Sequence, residues 1–412
     1  MEMKYVIIGN SAAAVGCIEG IRSADKKGEI TVISNEAHHV YGRPLISYLL
    51  EGKTDLERMK YRPNDFYKKN QCSTILSATV TNLDSKNRLL LLDNGKTVSY
   101  DKLMVATGSS PFIPPFKGLD SVNEKFTFMS LDDALSLEKR LTKDKKVLIV
   151  GAGLIGLKCA EGIYGRCKSI TVVDLSDRIL SSILDAPGAA IVQDHLEQKG
   201  IEFHLSAGVD CFDTNTALLS NGEKIHFDLL VLAVGVRPNT ALVKDAGGEV
   251  ARGIVTSDKM ETGIEDVYAA GDCCESYDIT AEQRRILAIM PNAYAQGYTA
   301  GRNMAGQSET FENAFPMNAI GFFGLHIITA GNYTGEVFER QEGQNYKKLF
   351  YEDGLLKGFI LIGNVAKAGI YTSLVRERTP LDSIDFELVC EEPTLMAFSR
   401  KYRDLKLGGI SV

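Results

Sequence analysis

The stretch VLIVGAGLIGLKCA, residues 147–160, decides the fold. Val147 to Val150 form an apolar run of strand composition, which stops at Gly151-Ala152-Gly153-Leu154-Ile155-Gly156. Beyond it the composition turns helical. Each glycine has its own physical duty. Gly151 permits a tight turn, Gly153 lets backbone N–H groups approach a pyrophosphate, and Gly156 lets the helix lie close against the strand. The helix N-terminus, with Leu154 and Ile155 in its first turn, adds the positive end of its dipole. A second apolar run, ITVVDLSD at 170–177, then places Asp174 at the end of the next strand. A carboxylate there accepts hydrogen bonds from an adenosine ribose and repels a 2′-phosphate, which favours NADH over NADPH.

The same order recurs earlier. YVIIGNSAAAVGCI at 5–18 is followed by ITVISNE at 30–36. Here Gly9-x-Ser11-x-x-Ala14 replaces two glycines by the smallest substitutes, so close approach to a phosphate survives. Asn35 and Glu36 both stand where the ribose acid is expected, and Glu36 is the stronger acceptor. LMVATGSSP at 103–111 and LLVLAVGVRPN at 229–239 are also alike, each an apolar strand ending in Gly and then Pro. Strand, glycine turn, helix, strand is the βαβ unit of a doubly wound parallel sheet, and two copies predict two nucleotide-binding domains. SSPFIPPFKG at 109–118, with three prolines, reads as the linker between them. From about 316 the pattern changes to strands around an Asp353-Gly354 turn, which predicts a small α+β domain.

The chain has 412 residues, a formal net charge of −7 and 44% hydrophobic residues. Two or three domains fit that length. The composition excludes a disordered chain and a disulfide-stapled mini-protein, and acidity disfavours nucleic-acid or anionic-membrane partners. Met1-Glu2-Met3-Lys4 and the apolar run after it are broken at Gly9, a strand and turn and not a signal peptide. No apolar run reaches the length of a membrane span. The 8 cysteines, at 17, 72, 159, 167, 211, 273, 274 and 390, include no C-x-x-C pair, so a reducing cytoplasm is the expected compartment. His38-His39 lacks a third ligand, and no metal is expected.

With YAAGDCCE at 268–275 added, five motifs stand in order: VIIGNSAAAVG, ATGSSP, GAGLIG, LAVGVRPN and YAAGDCCE. On these the sequence resembles the FAD/NAD-linked pyridine nucleotide–disulfide oxidoreductase superfamily over residues 4–306. YGRPLISYLL at 41–50, GLIGLKCAEGI at 153–163 and PNAYAQGYTAGRNMAG at 291–306 are similar to its NADH:rubredoxin reductase and nitrite-reductase flavoprotein branch. The resemblance implies an α/β fold with two Rossmann-like, three-layer domains and the small C-terminal α+β domain. FAD would occupy a discontinuous domain, 1–112 with 246–315, NAD a domain at 113–245, and residues 316–412 the remainder. It also implies FAD contacts. Gly9, Asn10, Ser11, Ala12 and Ala13 would face the pyrophosphate, Glu36 or Asn35 the ribose, and the Val80 backbone the adenine. Arg43 and Pro44 would sit near phosphates and flavin, and Ala106-Thr107-Gly108 would close the pocket. Gly271-Asp272 would reach the ribityl chain, and the helix at Pro291-Asn292 would point its N-terminus at the flavin pyrimidine. Gly235 would join the NAD residues.

Disulfide reductases of this superfamily carry a cysteine pair facing the flavin, and other branches one cysteine near the position of Arg43-Pro44. This chain has no cysteine between 18 and 71. Relatives often have Lys where Tyr48 stands and Glu where Lys158 stands, so Lys158 is expected to act on the flavin electrostatically. Cys273-Cys274 reads as two small turn residues. Many relatives also have Trp before Pro291, where this chain has Met290. The resulting expectation is an NADH oxidoreductase passing electrons through FAD to a small one-electron carrier, rubredoxin-like or iron–sulfur, without a redox thiol. The alternatives are the NADH-input flavoprotein of a nitrite-reductase-like system, an NADH oxidase, and a non-catalytic NADH sensor. The basic tail at 400–406 would suit an acidic carrier. A monomer or homodimer is expected.

Overall fold

The computed structural model describes residues 2–407, with side chains to Asp404. Lys406 of the basic tail has its side chain outside the described residues, as does the end of the 316–412 segment. Two compact units are present. The first comprises Met1–Leu180, Glu197–Tyr277 and Arg284–Glu312, and it contains two five-stranded parallel sheets.

In one sheet the strands run Val267–Ala269, Lys102–Val105, Lys4–Ile8, Glu29–Ile33 and Cys72–Ile75. In the other they run Ile201–His204, Ser169–Val173, Lys146–Val150, Leu229–Leu232 and Lys125–Phe126. Both place the glycine-turn strand at the centre with the next βαβ strand on one side and the later apolar strand on the other. The central strands are buried on both faces, Tyr5–Ile8 and Val147–Val150 alike, which is why they read as unbroken apolar runs. Each half also carries a three-stranded antiparallel meander, Val80–Asp84 with Leu89–Leu92 and Thr97–Ser99, and Val209–Asp213 with Thr216–Leu219 and Lys224–His226. The expected duplication is thus visible as geometry.

The chain passes between the halves through a ribbon. Ser109–Pro111, expected as linker, is a short strand paired antiparallel with Val236–Pro238. Thr107 Oγ1 donates to the Asn239 carbonyl at 2.7 Å, and Asn239 Nδ2 donates back to the Thr107 carbonyl at 2.9 Å. The Arg237 guanidinium lies 3.9 Å from the centre of the Phe112 ring.

In the first half, helix Ala12–Ala24 lies against helix Met290–Met304 with backbones nearly touching. A Cβ on Gly16 would stand 2.1 Å from the Tyr294 carbonyl oxygen, and one on Gly20 2.3 Å from that of Tyr298. From the other side, a Cβ on Gly297 would meet the Ala13 carbonyl at 2.0 Å and one on Gly301 the Cys17 carbonyl at 2.2 Å. Small residues four apart on both helices create this approach.

The second unit comprises Ser181–Leu196, Asp278–Gln283 and Asn313–Val412. Its sheet is antiparallel, in the order Met317–Phe322, Leu325–Gly331, Leu355–Ile362, Asn345–Glu352 and Glu336–Glu342. The expected hairpin turns at Asp353 and Gly354, both with positive φ (53° and 68°), the pairing that the sheet's twist favours. Helix Ala368–Glu377 covers it through Tyr371 and Leu374. The helix Ala186–Glu197 groups with this sheet. Asp185 at its start accepts from Gly188 N at 3.1 Å, from Tyr346 Oη at 2.7 Å and from Lys348 Nζ at 2.9 Å. No helix among the described residues is long and apolar enough to cross a membrane.

The helix pair yields a prediction. Gly301→Ala should lower stability by about 2 kcal/mol or more, because a backbone carbonyl must move to admit the methyl. Gly369→Ala is the control, with open space at its Cβ position, and should shift stability by less than about 0.5 kcal/mol. Urea unfolding midpoints compare the two, and equal effects would refute the packing argument.

Candidate functional site

Both glycine turns are built by one device. Gly9 has φ +113°, its N–H donates to the Ile33 carbonyl at 2.8 Å, and its missing Cβ would lie 2.0 Å from the Ala106 carbonyl oxygen. Gly151 has φ +116°, donates to the Val173 carbonyl at 2.8 Å, and faces the Ala233 carbonyl at 2.2 Å. Each turn therefore threads between the ends of its two neighbouring strands. Any side chain at either position would strike backbone.

Around Gly9 the predicted residues converge. Ser11 caps the helix in an extended conformation, its side chain making no capping bond, while Ala12 and Ala13 are buried in the first turn. Asn10 is held sideways: its Nδ2 donates to the His38 carbonyl at 3.2 Å and its Oδ1 accepts from Tyr67 Oη at 2.6 Å. A Cβ on Gly271 (φ +84°) would lie 3.3 Å from Ala13 Cβ and 3.7 Å from Ala293 Cβ. Gly271 thus sits between the N-termini of the two packed helices, its N–H bonded to Gln296 Oε1 at 2.7 Å. Asn292 is buried in the first turn of the second of these. Ala106, Thr107 and Gly108 follow the strand that faces Gly9, and Gly108 (φ +63°) has open space at its Cβ position.

Glu36 and Asn35 part company. Asn35 is exposed, whereas the Glu36 carboxylate accepts from Tyr41 Oη at 2.7 Å and pairs with the Arg43 guanidinium. Arg43 begins a short 3-10 helix, Arg43–Leu45, in which Pro44 is exposed. Burial raises the Asp272 carboxyl, and Arg43 and the Ser109 hydroxyl oppose that shift, so Arg43 acts on both the Glu36 and the Asp272 carboxylates. Val80 opens its meander, two residues after Ala78 N bonds the Ser34 carbonyl at 2.9 Å.

In the second half, Gly153 and Gly235 have nothing within 4 Å of their Cβ positions, so the face of this turn is open. A Cβ on Gly156 would lie 2.0 Å from the Gly151 carbonyl, which confirms its packing duty. Leu154 and Ile155 begin the helix Leu154–Ile163 and are partly exposed. The Asp174 carboxylate is fixed by two backbone amides, Ala152 N at 2.6 Å and Ser176 N at 2.7 Å.

Lys158, on that helix, lies 4.6 Å from the centre of the Tyr48 ring and pairs with Glu161, which is 3% exposed. The cation therefore brings its own buried carboxylate. Sequence reasoning missed Glu161, although its i,i+3 spacing from Lys158 was the available signal. Lys158 and Tyr48 bridge the halves, since a Cβ on Gly162 would lie 3.0 Å from the Ser47 carbonyl.

The 8 cysteines are free. Cys17, Cys159, Cys273 and Cys274 are fully buried, and burial pushes each thiol up. Cys72, Cys167 and Cys390 are pushed up to about 11 by the same cause. His38 pairs with Asp132 at 2.8 Å and His39 with the Pro63 carbonyl at 3.0 Å. Among the described residues, no group of three or more His, Cys, Asp or Glu is placed to hold a metal ion.

Comparison with known proteins agrees with this geometry. Residues 3–297 match the family model of the pyridine nucleotide-disulphide oxidoreductases. The chain is 33% identical to the NADH-dependent phenylglyoxylate dehydrogenase subunit epsilon of Aromatoleum evansii, covering 92% of each chain. It is 30% identical to the assimilatory nitrate reductase electron transfer subunit of Bacillus subtilis over 92% of its own length, but spans only 50% of that relative. The crystal structure of NADH:rubredoxin oxidoreductase from Clostridium acetobutylicum is 25% identical, with a TM-score of 0.74 over 93% of this chain and 97% of that one. The chain belongs to the pyridine nucleotide-disulphide oxidoreductases, flavin-dependent enzymes that use FAD and NADH.

Proposed function

We propose that the half built around Gly9 holds FAD, that the half built around Gly151 holds NADH, and that electrons leave to a small one-electron carrier without passing through a thiol. The domains would follow the sequence reading, FAD at 1–112 with 246–315 and NAD at 113–245, except that 181–196, 278–283 and 313–315 belong to the second unit. The residues around Gly9 fit FAD on their own chemistry. Amides at Gly9 to Ala13 meet the pyrophosphate, with the Arg43 guanidinium between Glu36 at the ribose end and Asp272 at the ribityl end. Open space at Gly153 and Gly235, beside the fixed Asp174 carboxylate, fits the adenosine side of NADH. FAD held there would supply hydride acceptance and one-electron release, chemistry no side chain here supplies. The protein orients the nicotinamide, excludes water, and at the Asn292 helix N-terminus favours negative charge on the flavin pyrimidine.

The thiols carry the acceptor assignment. A relay needs an accessible thiolate, and the four cysteines of the two glycine-turn helices and the Gly271-Asp272 turn are fully buried with raised pKa. A rubredoxin-like or iron–sulfur protein then becomes the fitting acceptor, in a reducing cytoplasm. A second reading, the NADH-input subunit of a larger oxidoreductase, is favoured by the subunit names of two relatives. Anaerobic stopped-flow with NADH, followed by rubredoxin, ferredoxin, oxygen and coenzyme A disulfide as acceptors, separates these. Fast flavin reduction and turnover with a one-electron protein are expected. Substantial disulfide turnover refutes the thiol argument.

The Lys158–Glu161 pair gives a test of sign. If it acts on the flavin, Lys158→Ala should lower the two-electron flavin potential by about 30 mV, a tenfold change in equilibrium constant. Glu161→Gln should raise it. A shift in the same direction for both, or none, would mean that the pair serves packing alone, and spectroelectrochemistry decides.

A further inference from the structure

The Glu36 carboxylate is held from behind by a hydroxyl whose proton has one place to go. Tyr41 is 5% exposed. Its Oη accepts a hydrogen bond from the backbone N–H of Leu131 at 2.9 Å and another from Arg43 Nη1 at 3.2 Å. Two donors fill both lone-pair sites of the phenol oxygen, so its single proton is committed to the third neighbour, Glu36 Oε2, at 2.7 Å. Burial raises the phenol's pKa, so the proton stays on at neutral pH.

Leu131 is itself a fixed point. It is the first residue of helix Leu131–Glu138, whose N-terminus is closed by a reciprocal capping box. Ser130 Oγ accepts from Asp133 N at 3.1 Å, and Asp133 Oδ2 accepts from Ser130 N at 3.0 Å. Two of the helix's otherwise orphaned amides are thereby used, one by its own cap and one by Tyr41. Two more contacts join the same places: His38 Nε2 with Asp132 Oδ1 at 2.8 Å, and Arg43 Nη1 with the Met129 carbonyl at 3.4 Å. The loop at 36–43 is thus pinned to a rigid helix end, and Glu36 is at the head of the pin.

We infer that Tyr41 is a positioning residue for the adenosine of FAD: anchored by Leu131 N–H, its hydroxyl orients the Glu36 carboxylate so that the remaining lone pairs face the ribose hydroxyls. A carboxylate offers about four acceptor sites. Tyr41 and Arg43 take one on each oxygen, which leaves one on each for a diol. Donation by Leu131 and Arg43 also strengthens the phenol as a donor, since chained hydrogen bonds polarise one another. The coupling has a second consequence. A ligand on Glu36 tightens the chain Glu36–Tyr41–Leu131, so FAD should protect the Leu131 amide, which belongs to the entry helix of the other half. The inference rests on the proposed FAD site.

The test is a double-mutant cycle on FAD affinity, read by flavin fluorescence as apoprotein is titrated: wild type, Tyr41→Phe, Glu36→Gln and the double variant. Tyr41→Phe should weaken FAD about tenfold, and less than twofold when Glu36 is already Gln. A tenfold loss that persists on the Glu36→Gln background, or no loss at all, overturns the inference. If Tyr41→Phe yields no folded protein, hydrogen exchange on the wild type decides. FAD should slow exchange at the Leu131 amide at least fivefold, and an unchanged rate refutes the coupling. A wild-type chain that binds no FAD instead removes the proposed site, and the two failures are told apart by that first titration.

Discussion

Backbone standing against backbone, with no side chain between, is the constraint on which this structure depends. It occurs at both glycine turns, where Gly9 meets Ala106 and Gly151 meets Ala233, and along the helix pair through Gly16, Gly20, Gly297 and Gly301. These contacts are short because the residues are small, and together with the hydrogen bonds of Gly9 N to Ile33 and Gly151 N to Val173 they hold the turns in place. Helix Ala12–Ala24 and helix Met290–Met304 begin beside Gly271 only because they can lie this close. Two helix N-termini then begin side by side, and the positive ends of their dipoles concentrate potential suited to an anionic ligand.

The two halves show how much of the glycine pattern is required. At the first position no substitute is possible, and both halves keep glycine. At the third position the second half needs Gly156 against the Gly151 carbonyl, whereas the first half accommodates Ala14, fully buried. Degeneracy in the motif therefore tracks local clearance. The second position differs again: Gly153 faces open space, and Ser11 fills the equivalent place as a helix cap.

Local constraints were legible in the sequence. Strand runs, glycine turns, the βαβ units and the Asp353-Gly354 hairpin all follow from short patterns in the sequence. That Glu36 is held and Asn35 is exposed needed coordinates, because Tyr41 and Arg43 arrive from a later loop. Glu161 belongs to none of the five motifs, and only its place one helical turn beyond Lys158 marks it in the sequence. The strand at Ser109–Pro111 was masked by Pro111 and by the Pro114-Pro115 that follow it; an edge ribbon tolerates its one proline. The grouping of helix Ala186–Glu197 with the C-terminal sheet was beyond reach, since it rests on Asp185 meeting Tyr346 and Lys348, far along the chain.

The ribbon of Ser109–Pro111 and Val236–Pro238 bears on how such a chain arose. The points where the polypeptide leaves the first half and returns to it are hydrogen-bonded neighbours, clamped by Thr107 and Asn239. Everything between is an excursion that starts and ends at one spot. A segment with adjacent ends can be inserted, exchanged or deleted while the host sheet keeps its strand order, and closing so long a loop costs little more than closing a short one. The chain is therefore modular in a literal sense, with a socket of six residues from which the second parallel sheet departs and to which it returns.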